Sequence, residues 1–306
     1  MDRDGRGARA LPQGTMPLGD GDPAEIGVFR LLGRLGVGGM GIVYLAECPK
    51  RTLVAVKLVH QQLAYSSEFR ARFAAEIAAA RRLPAFCTAP VREEGEYKGR
   101  PYLVTDYLPG IPLSRLVTQG GPLEPGRLHN VAIGAAAALA AIHQLRLIHR
   151  DMKPSNLIVT PGGVRVIDFG IVKALDGSGG ETTTGVVMAS PGWASPEQLA
   201  GEPLSSAVDI FGWGSVIAYA GTGSHPYGND HPVTRAWQIM YGRPSLDGLP
   251  ETLAGLVAAT LDRDPSGRPT ATALLLALAT DGTLPPPAPV EPPAPPRRGL
   301  RRLAQR

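Results

Sequence analysis

One stretch restricts the fold more than any other. It reads His149-Arg150-Asp151-Met152-Lys153-Pro154-Ser155-Asn156 and is closed by Asp168-Phe169-Gly170. Leu157-Ile158-Val159 and Val164-Arg165-Val166-Ile167 have strand character, and Pro161-Gly162-Gly163 between them is a turn. The spacing predicts loop, strand, hairpin, strand, loop. So short a hairpin brings its ends together, so Asp151 and Asn156 converge with Asp168. Asp and Asn oxygens are hard ligands suited to Mg²⁺, which takes a few carboxylate contacts plus phosphate oxygens. A polar turn beside a buried hairpin is the plain alternative. It gives no reason for two aspartates, a lysine and an asparagine in so short a space.

The chain has 306 residues, enough for one large domain or two lobes, and its 43% hydrophobic content supports a sizeable core. The net charge of +4 is mild and the basic residues are scattered except at the C-terminus, which argues against a nucleic-acid partner. Cys48 and Cys87 give no disulfide framework and suit a reducing cytoplasm, the expected location. The first residues carry charge and glycine but not the apolar segment of a signal peptide. No apolar run reaches the roughly 18 residues of a membrane span.

Residues 1–24 mix Gly, Asp, Arg and Pro without period and are expected to be disordered. A strand then begins over Phe29 to Leu35, followed by Gly36-Val37-Gly38-Gly39-Met40-Gly41. In a dinucleotide-binding fold such glycines open a helix. Here Ile42-Val43-Tyr44-Leu45-Ala46 follows, so the glycines belong to a strand–turn–strand hairpin. The absence of a following Gly-Lys-Ser/Thr excludes a P-loop. Backbone amides without Cβ neighbours approach a polyphosphate closely. In the next strand, Leu53 to Leu58, alternation puts Val54, Val56 and Leu58 on one face and Ala55 with Lys57 on the other. A lone strand lysine is ordinarily a solvated one, but the helix after it changes the weighing. That helix starts near Ser66-Ser67, an N-cap, with Glu68 in its first turn. Phe69, Phe73, Glu76 and Ala80 share one stripe, where an unpaired carboxylate is costly. Lys57 is the expected partner of Glu76, the alternative being a Glu76 half-exposed at the stripe's edge. The strand Tyr102 to Thr105 ends at Asp106-Tyr107-Leu108-Pro109-Gly110, a lobe boundary.

As a set, these motifs resemble the protein kinases, in particular the bacterial eukaryotic-like serine/threonine kinases, over about residues 26–280. The resemblance implies an α+β, two-lobed protein kinase fold. Residues 25–105 form a small β-rich N-lobe with one key helix, and residues 106–283 a larger, mainly helical C-lobe. It implies ATP with Mg²⁺, or Mn²⁺ in its place. Gly36, Val37, Gly38, Gly39 and Gly41 would cover the phosphates. Val43 and Ala55 would lie against adenine, with Ile158 also in the ATP-binding set. Asp106 and Leu108 would bond adenine through their backbone, and Thr105 would border a rear pocket. Lys57, fixed by Glu76, would hold the α- and β-phosphates. Asp151 would accept the proton of the substrate hydroxyl or position that hydroxyl, Lys153 would hold the γ-phosphate, and Asn156 and Asp168 would hold metal.

The same resemblance extends through the larger lobe. The alanine-rich stretch Val131 to Leu145 is a buried helix, with His143 at its end. His143 and His149 are expected to be structural, His149 packing against Phe169. Lys153, two residues after Asp151, fits the serine/threonine pattern. Arg150 beside Asp151 resembles kinases switched on by phosphate in the activation segment, residues 171–192. There Thr182 and Thr184 align with autophosphorylation sites, the alternative being merely solvated threonines. Autophosphorylation implies transient self-association. Ala189-Ser190-Pro191-Gly192-Trp193 matches the substrate-docking loop, with Ala189 and Ser190 where Gly-Thr is usual. Ser190 keeps the hydroxyl expected to contact Asp151 and Lys153. Ser195-Pro196-Glu197 starts a helix. Asp209 is expected to brace the catalytic-loop backbone, and Arg268 to pair with Glu197. Residues 284–306 are proline-rich and then basic, a solvated tail or a weak contact with an anionic membrane surface. The partners implied are proteins bearing serine or threonine. A pseudokinase would lack a lysine, aspartate or metal ligand, and none is missing. A small-molecule phosphotransferase has no reason to keep Ser195-Pro196-Glu197, Asp209 and Arg268 beside a peptide-docking loop.

Overall fold

A computed structural model describes residues 11–168, 192–229 and 231–280. The smaller lobe is a six-stranded antiparallel sheet in the order β1-β2-β3-β4-β6-β5. Its strands are β1 (Glu25–Ile26), β2 (Phe29–Gly38), β3 (Gly41–Glu47), β4 (Leu53–Val59), β5 (Val91–Tyr97) and β6 (Arg100–Asp106). Between β4 and β5 lie the short α1 (Gln61–Ala64) and α2 (Ser67–Ala80). The period-two pattern of β4 is realised. Val54, Val56 and Leu58 are fully buried against Tyr44 and Val104, and Ala55 and Lys57 face the other way, into a cleft. Ser66 caps α2, its hydroxyl accepting from Phe69 N at 3.1 Å. Phe69, Phe73 and Ile77 bury the stripe of α2 against Val59.

Disorder through residue 24 does not hold for residues 11–24. Met16 and Arg34 exchange backbone hydrogen bonds at 2.8 Å each, which adds this segment to the edge of β2. The composition of the stretch hid a half-buried ion pair, Asp22 with Arg34, that anchors it at 2.5 Å. Residues 1–10 lie outside the described residues.

The larger lobe opens with β7 (Ile111–Pro112), α3 (Leu113–Gly120) and α4 (Pro125–Gln144). Helix α4 begins earlier than its alanine run suggests. Pro125 takes the first helical position, where its missing N–H loses nothing, and Leu128 is already in the core. The hairpin β8 (Leu157–Thr160) and β9 (Gly163–Val166) pairs with β7 in a three-stranded sheet. Helices α5 (Pro196–Ala200), α6 (Ala207–Thr222), α7 (Pro232–Tyr241), α8 (Glu251–Thr260) and α9 (Ala271–Ala279) follow. Helix α6 is apolar nearly all round and runs through the core, as such helices do. Trp213 donates from Nε1 to Ala132 O at 3.1 Å and so fixes α6 on α4. A Cβ on Gly212 would stand 2.6 Å from Met152 Cβ, so α6 presses its bare backbone against the loop of Asp151. No helix among the described residues is long and apolar enough to cross a membrane.

Candidate active site

A cleft of about 810 Å³ lies between the lobes. The hairpin of β2 and β3 carries Gly36, Val37, Gly38, Gly39 and Gly41 along one wall. Gly41 is required by packing: a Cβ there would meet Leu58 O at 2.2 Å. Val43, Ala55, Thr105, Asp106, Leu108 and Ile158 line the same space. The strand–turn–strand reading of the glycines therefore holds, and the residues expected to bind ATP gather round one cavity. At the lobe boundary, Asp106 N–H donates to Pro90 O at 3.0 Å, and Leu108 O accepts from Gly110 N at 2.9 Å. Leu108 thus retains its N–H for a ligand, while the Asp106 carbonyl accepts a long bond from Thr105 Oγ1 at 3.4 Å.

The β8–β9 hairpin closes as predicted. Leu157 pairs with Val166, and Ile167 N donates to Asn156 O at 2.8 Å, so Asp151, Asn156 and Asp168 line one cleft with Lys57 and Lys153. Lys153 Nζ donates to Asp151 Oδ2 at 2.5 Å. Asn156 Nδ2 donates to Asp151 O at 2.8 Å and to Oδ2 at 3.1 Å, which leaves Asn156 Oδ1 as an acceptor. The loop is braced from below by the buried carboxylate of Asp209 on α6. It accepts from His149 N at 2.8 Å and Arg150 N at 2.7 Å, and meets His143 Nε2 at 2.8 Å. Both histidines are structural: the His149 ring lies 3.1 Å from Ile167 O, and burial lowers its pKa and keeps it neutral. Arg150 and Asp168, on either side of the hairpin, hold left-handed backbone at φ 67° and 53°. For residues other than glycine that conformation is strained.

The expected Lys57–Glu76 pair is not made. Lys57 Nζ instead binds Asp168 Oδ1 at 2.7 Å. Two carboxylates compete for one ammonium, and the one on the Asp168 loop reaches it. Desolvation opposes the charge of Lys57, but Asp168 and Glu76 outweigh it and hold its pKa above the ordinary value. Desolvation likewise opposes ionisation of Asp168, and Lys57 outweighs it. Glu76 lies 7% exposed on the inner stripe of α2, and burial pushes its carboxyl up to about 7, with Lys57 only partly compensating.

The donor set fits a hard divalent ion shared with phosphate. Asp168 offers a carboxylate and Asn156 an amide oxygen. Among the described residues no cluster of three His, Cys, Asp or Glu forms a cage of its own. That is the sparse protein coordination Mg²⁺ accepts when phosphates complete its shell.

Glu197 and Arg268 form the expected pair, buried and bidentate at 2.6 and 2.9 Å. Gln198 was missed by sequence reasoning. It donates from Nε2 to Arg150 O at 2.9 Å while Oε1 accepts from Ser195 N at 3.0 Å, so it joins α5 to the catalytic loop. The signal was there: Ser195 with glutamine three residues on is a capping box. Also unforeseen is a hollow of about 170 Å³ beside Lys153, lined by Ser155, Trp193, Tyr219, His225 and Arg235. Thr182, Thr184, Ser190 and Phe169 lie outside the described residues.

A glycine-rich hairpin over a cleft, a half-buried lysine, a braced aspartate and two oxygen donors facing that cleft together make up the site. The chain belongs to the protein kinase family: residues 29–277 match the model of the protein kinase domain. It is 42% identical over 267 residues to a probable serine/threonine-protein kinase, PkwA, of Thermomonospora curvata, covering 87% of this chain and 36% of that one. It is 39% identical to the serine/threonine-protein kinase AfsK of Streptomyces coelicolor, covering 81% and 31%. With the serine/threonine-protein kinase PknB of Mycobacterium tuberculosis the identity is 34%, covering 83% and 42%. The chain thus spans well under half the length of these relatives.

Proposed function

We propose that this chain is a serine/threonine protein kinase of the cytoplasm, transferring the ATP γ-phosphate to protein hydroxyls. The meeting of Asp151, Lys153, Asn156, Asp168 and Lys57 at one cleft carries the reading. Asp151 orients the acceptor hydroxyl and takes its proton, while Lys153, bonded to it, offers positive charge to the phosphate in transfer. Lys57 exchanges Asp168 for the nucleotide phosphates. Asp168 and Asn156 Oδ1 would hold Mg²⁺, or Mn²⁺, which neutralises phosphate charge. The hollow beside Lys153 favours a peptide over a small metabolite, since it extends the site past the reacting atoms. Transfer of label from ATP to proteins, set against a panel of small metabolites, tests this; label on metabolites alone overturns it.

Activation is read as self-phosphorylation on Thr182 or Thr184 through transient self-association. Arg150 supports it: its Nε is buried without a hydrogen-bond partner among the described residues, and desolvation depresses its pKa. A phosphothreonine brings about −1.5 to −2 charge and strong acceptors for such a group. Protein incubated with Mg²⁺ and ATP gains phosphate on this segment and speeds up, and Thr182→Ala with Thr184→Ala abolishes the gain. Mass spectrometry showing a fully active enzyme with neither residue modified excludes the switch.

A further inference from the structure

The segment before β1 is bound to both lobes. On the small-lobe side its anchorage is multiple. Met16 pairs with Arg34 of β2, the strand that runs on into Gly36. Asp22 accepts from Arg34 at 2.5 and 2.8 Å, from Tyr44 OH at 2.7 Å and from Gly19 N at 2.8 Å. The strand is shaped to receive it, since a Cβ on Gly33 would stand 2.6 Å from Met16 O. Beyond Met16 the chain reaches the larger lobe. Gln13 O accepts from Arg115 Nη1 of α3 at 3.2 Å. Gly14, at φ 91°, packs so closely that a Cβ would fall 1.8 Å from the same Nη1. Gln13 and Gly14 line the cleft together with Leu35, Gly36, Ser114 and Arg115.

We propose that residues 13–16 form an outer wall of the nucleotide site, joining β2 to α3 and holding the glycine-rich hairpin over a bound nucleotide. This rests on the reading of the cleft as an ATP site. The two attachments are unequal. The β2 side has a half-buried, two-bond ion pair and two backbone bonds, and the α3 side one solvent-exposed hydrogen bond from a half-buried arginine. The wall therefore parts from α3 first and moves with the hairpin, and every nucleotide that leaves must break the Gln13–Arg115 bond or pass beside it. Residues 13–16 are positioning residues: they slow escape without touching the transferred phosphate.

Three variants of the full chain test it: deletion of residues 2–14, Gly14→Val and Arg115→Ala. Titration calorimetry with Mg²⁺·ADP and stopped-flow dissociation read the binding, and steady-state assays separate KM for ATP from kcat. Each variant is expected to bind ADP about 2- to 10-fold more weakly, the loss of a bond or two. Dissociation quickens, KM rises and kcat at saturating ATP holds, the pattern of lost uniform binding. Arg115→Lys, which keeps a donor, recovers part of the loss. Parental affinity in the truncation and in Gly14→Val overturns the wall, even if Arg115→Ala is weak, because Arg115 would then act on the nucleotide by itself. A fall in kcat at unchanged KM overturns it too. A parent chain that fails to bind ADP refutes the ATP reading, whereas parental binding untouched by the variants refutes the wall alone.

Discussion

Lys57 faces two carboxylates, and the loser holds its proton to a higher pH. Glu76 is buried and lacks an ion pair among the described residues, so its carboxyl titrates near 7, well above the ordinary glutamate value of 4.5. A raised carboxyl pKa in the folded state favours folding only while the group stays protonated. Its contribution is full below about 4.5 and is lost as pH rises to about 7. Glu76→Gln removes that loss. The melting temperature of the variant relative to the parent should climb across this window and level off above it; a constant difference would mean that Glu76 is already charged. Asp151 lines the same cleft. Asp151→Asn keeps the shape of the loop and removes the proposed proton acceptor, so turnover should fall about 10²- to 10⁴-fold. ADP affinity by calorimetry should stay at the parental value, and a parental rate would remove Asp151 from its role.

Elements meet at carboxylates here. Asp209 makes α6 the base of the catalytic loop, and Glu197 with Arg268 locks α5 to the segment before α9. The Arg268 guanidinium also lies 5.0 Å above the Phe211 ring. Removing one member of a buried pair strands the other, at roughly 3–5 kcal/mol. Arg268→Ala should lose that much by denaturant titration, and Arg268→Met with Glu197→Leu should regain most of it; equal losses would point to the cation–ring contact instead. The elements themselves were largely readable from the sequence, because Val54, Val56 and Leu58 of β4 fall at every second position and the turn at Pro161–Gly163 is explicit. The partners of Asp209 and Arg268 came from the kinase resemblance. Gln198 apart, what escaped reading had no local pattern. The Met16 bridge to β2 is a tertiary pairing inside a glycine-rich composition, and the choice of Lys57 between Asp168 and Glu76 is decided by loop geometry.

At the scale of the molecule, the apolar residues fall into three clusters, the largest of which also takes in Ala79, Leu83 and Cys87 of the smaller lobe. One cluster gathers α4, α6, α8 and α9, while two smaller ones serve the sheet and α2. Lobes whose cores are largely their own need not melt together. Calorimetry should resolve a small-lobe transition below the larger one. Mg²⁺·ADP at a hundred times its Kd should stabilise against the first transition by about 2.7 kcal/mol. A single transition indifferent to nucleotide would contradict this. The left-handed backbone of Arg150 and Asp168 sets a further tension. Glycine would adopt those angles without strain, yet the chain spends conformational energy to keep a cation and a carboxylate there. Thermostability and catalysis therefore pull these two positions in opposite directions. A population evolved under heat alone, with no demand for phosphoryl transfer, should drift to glycine at 150 and 168 and lose its chemistry while its fold improves.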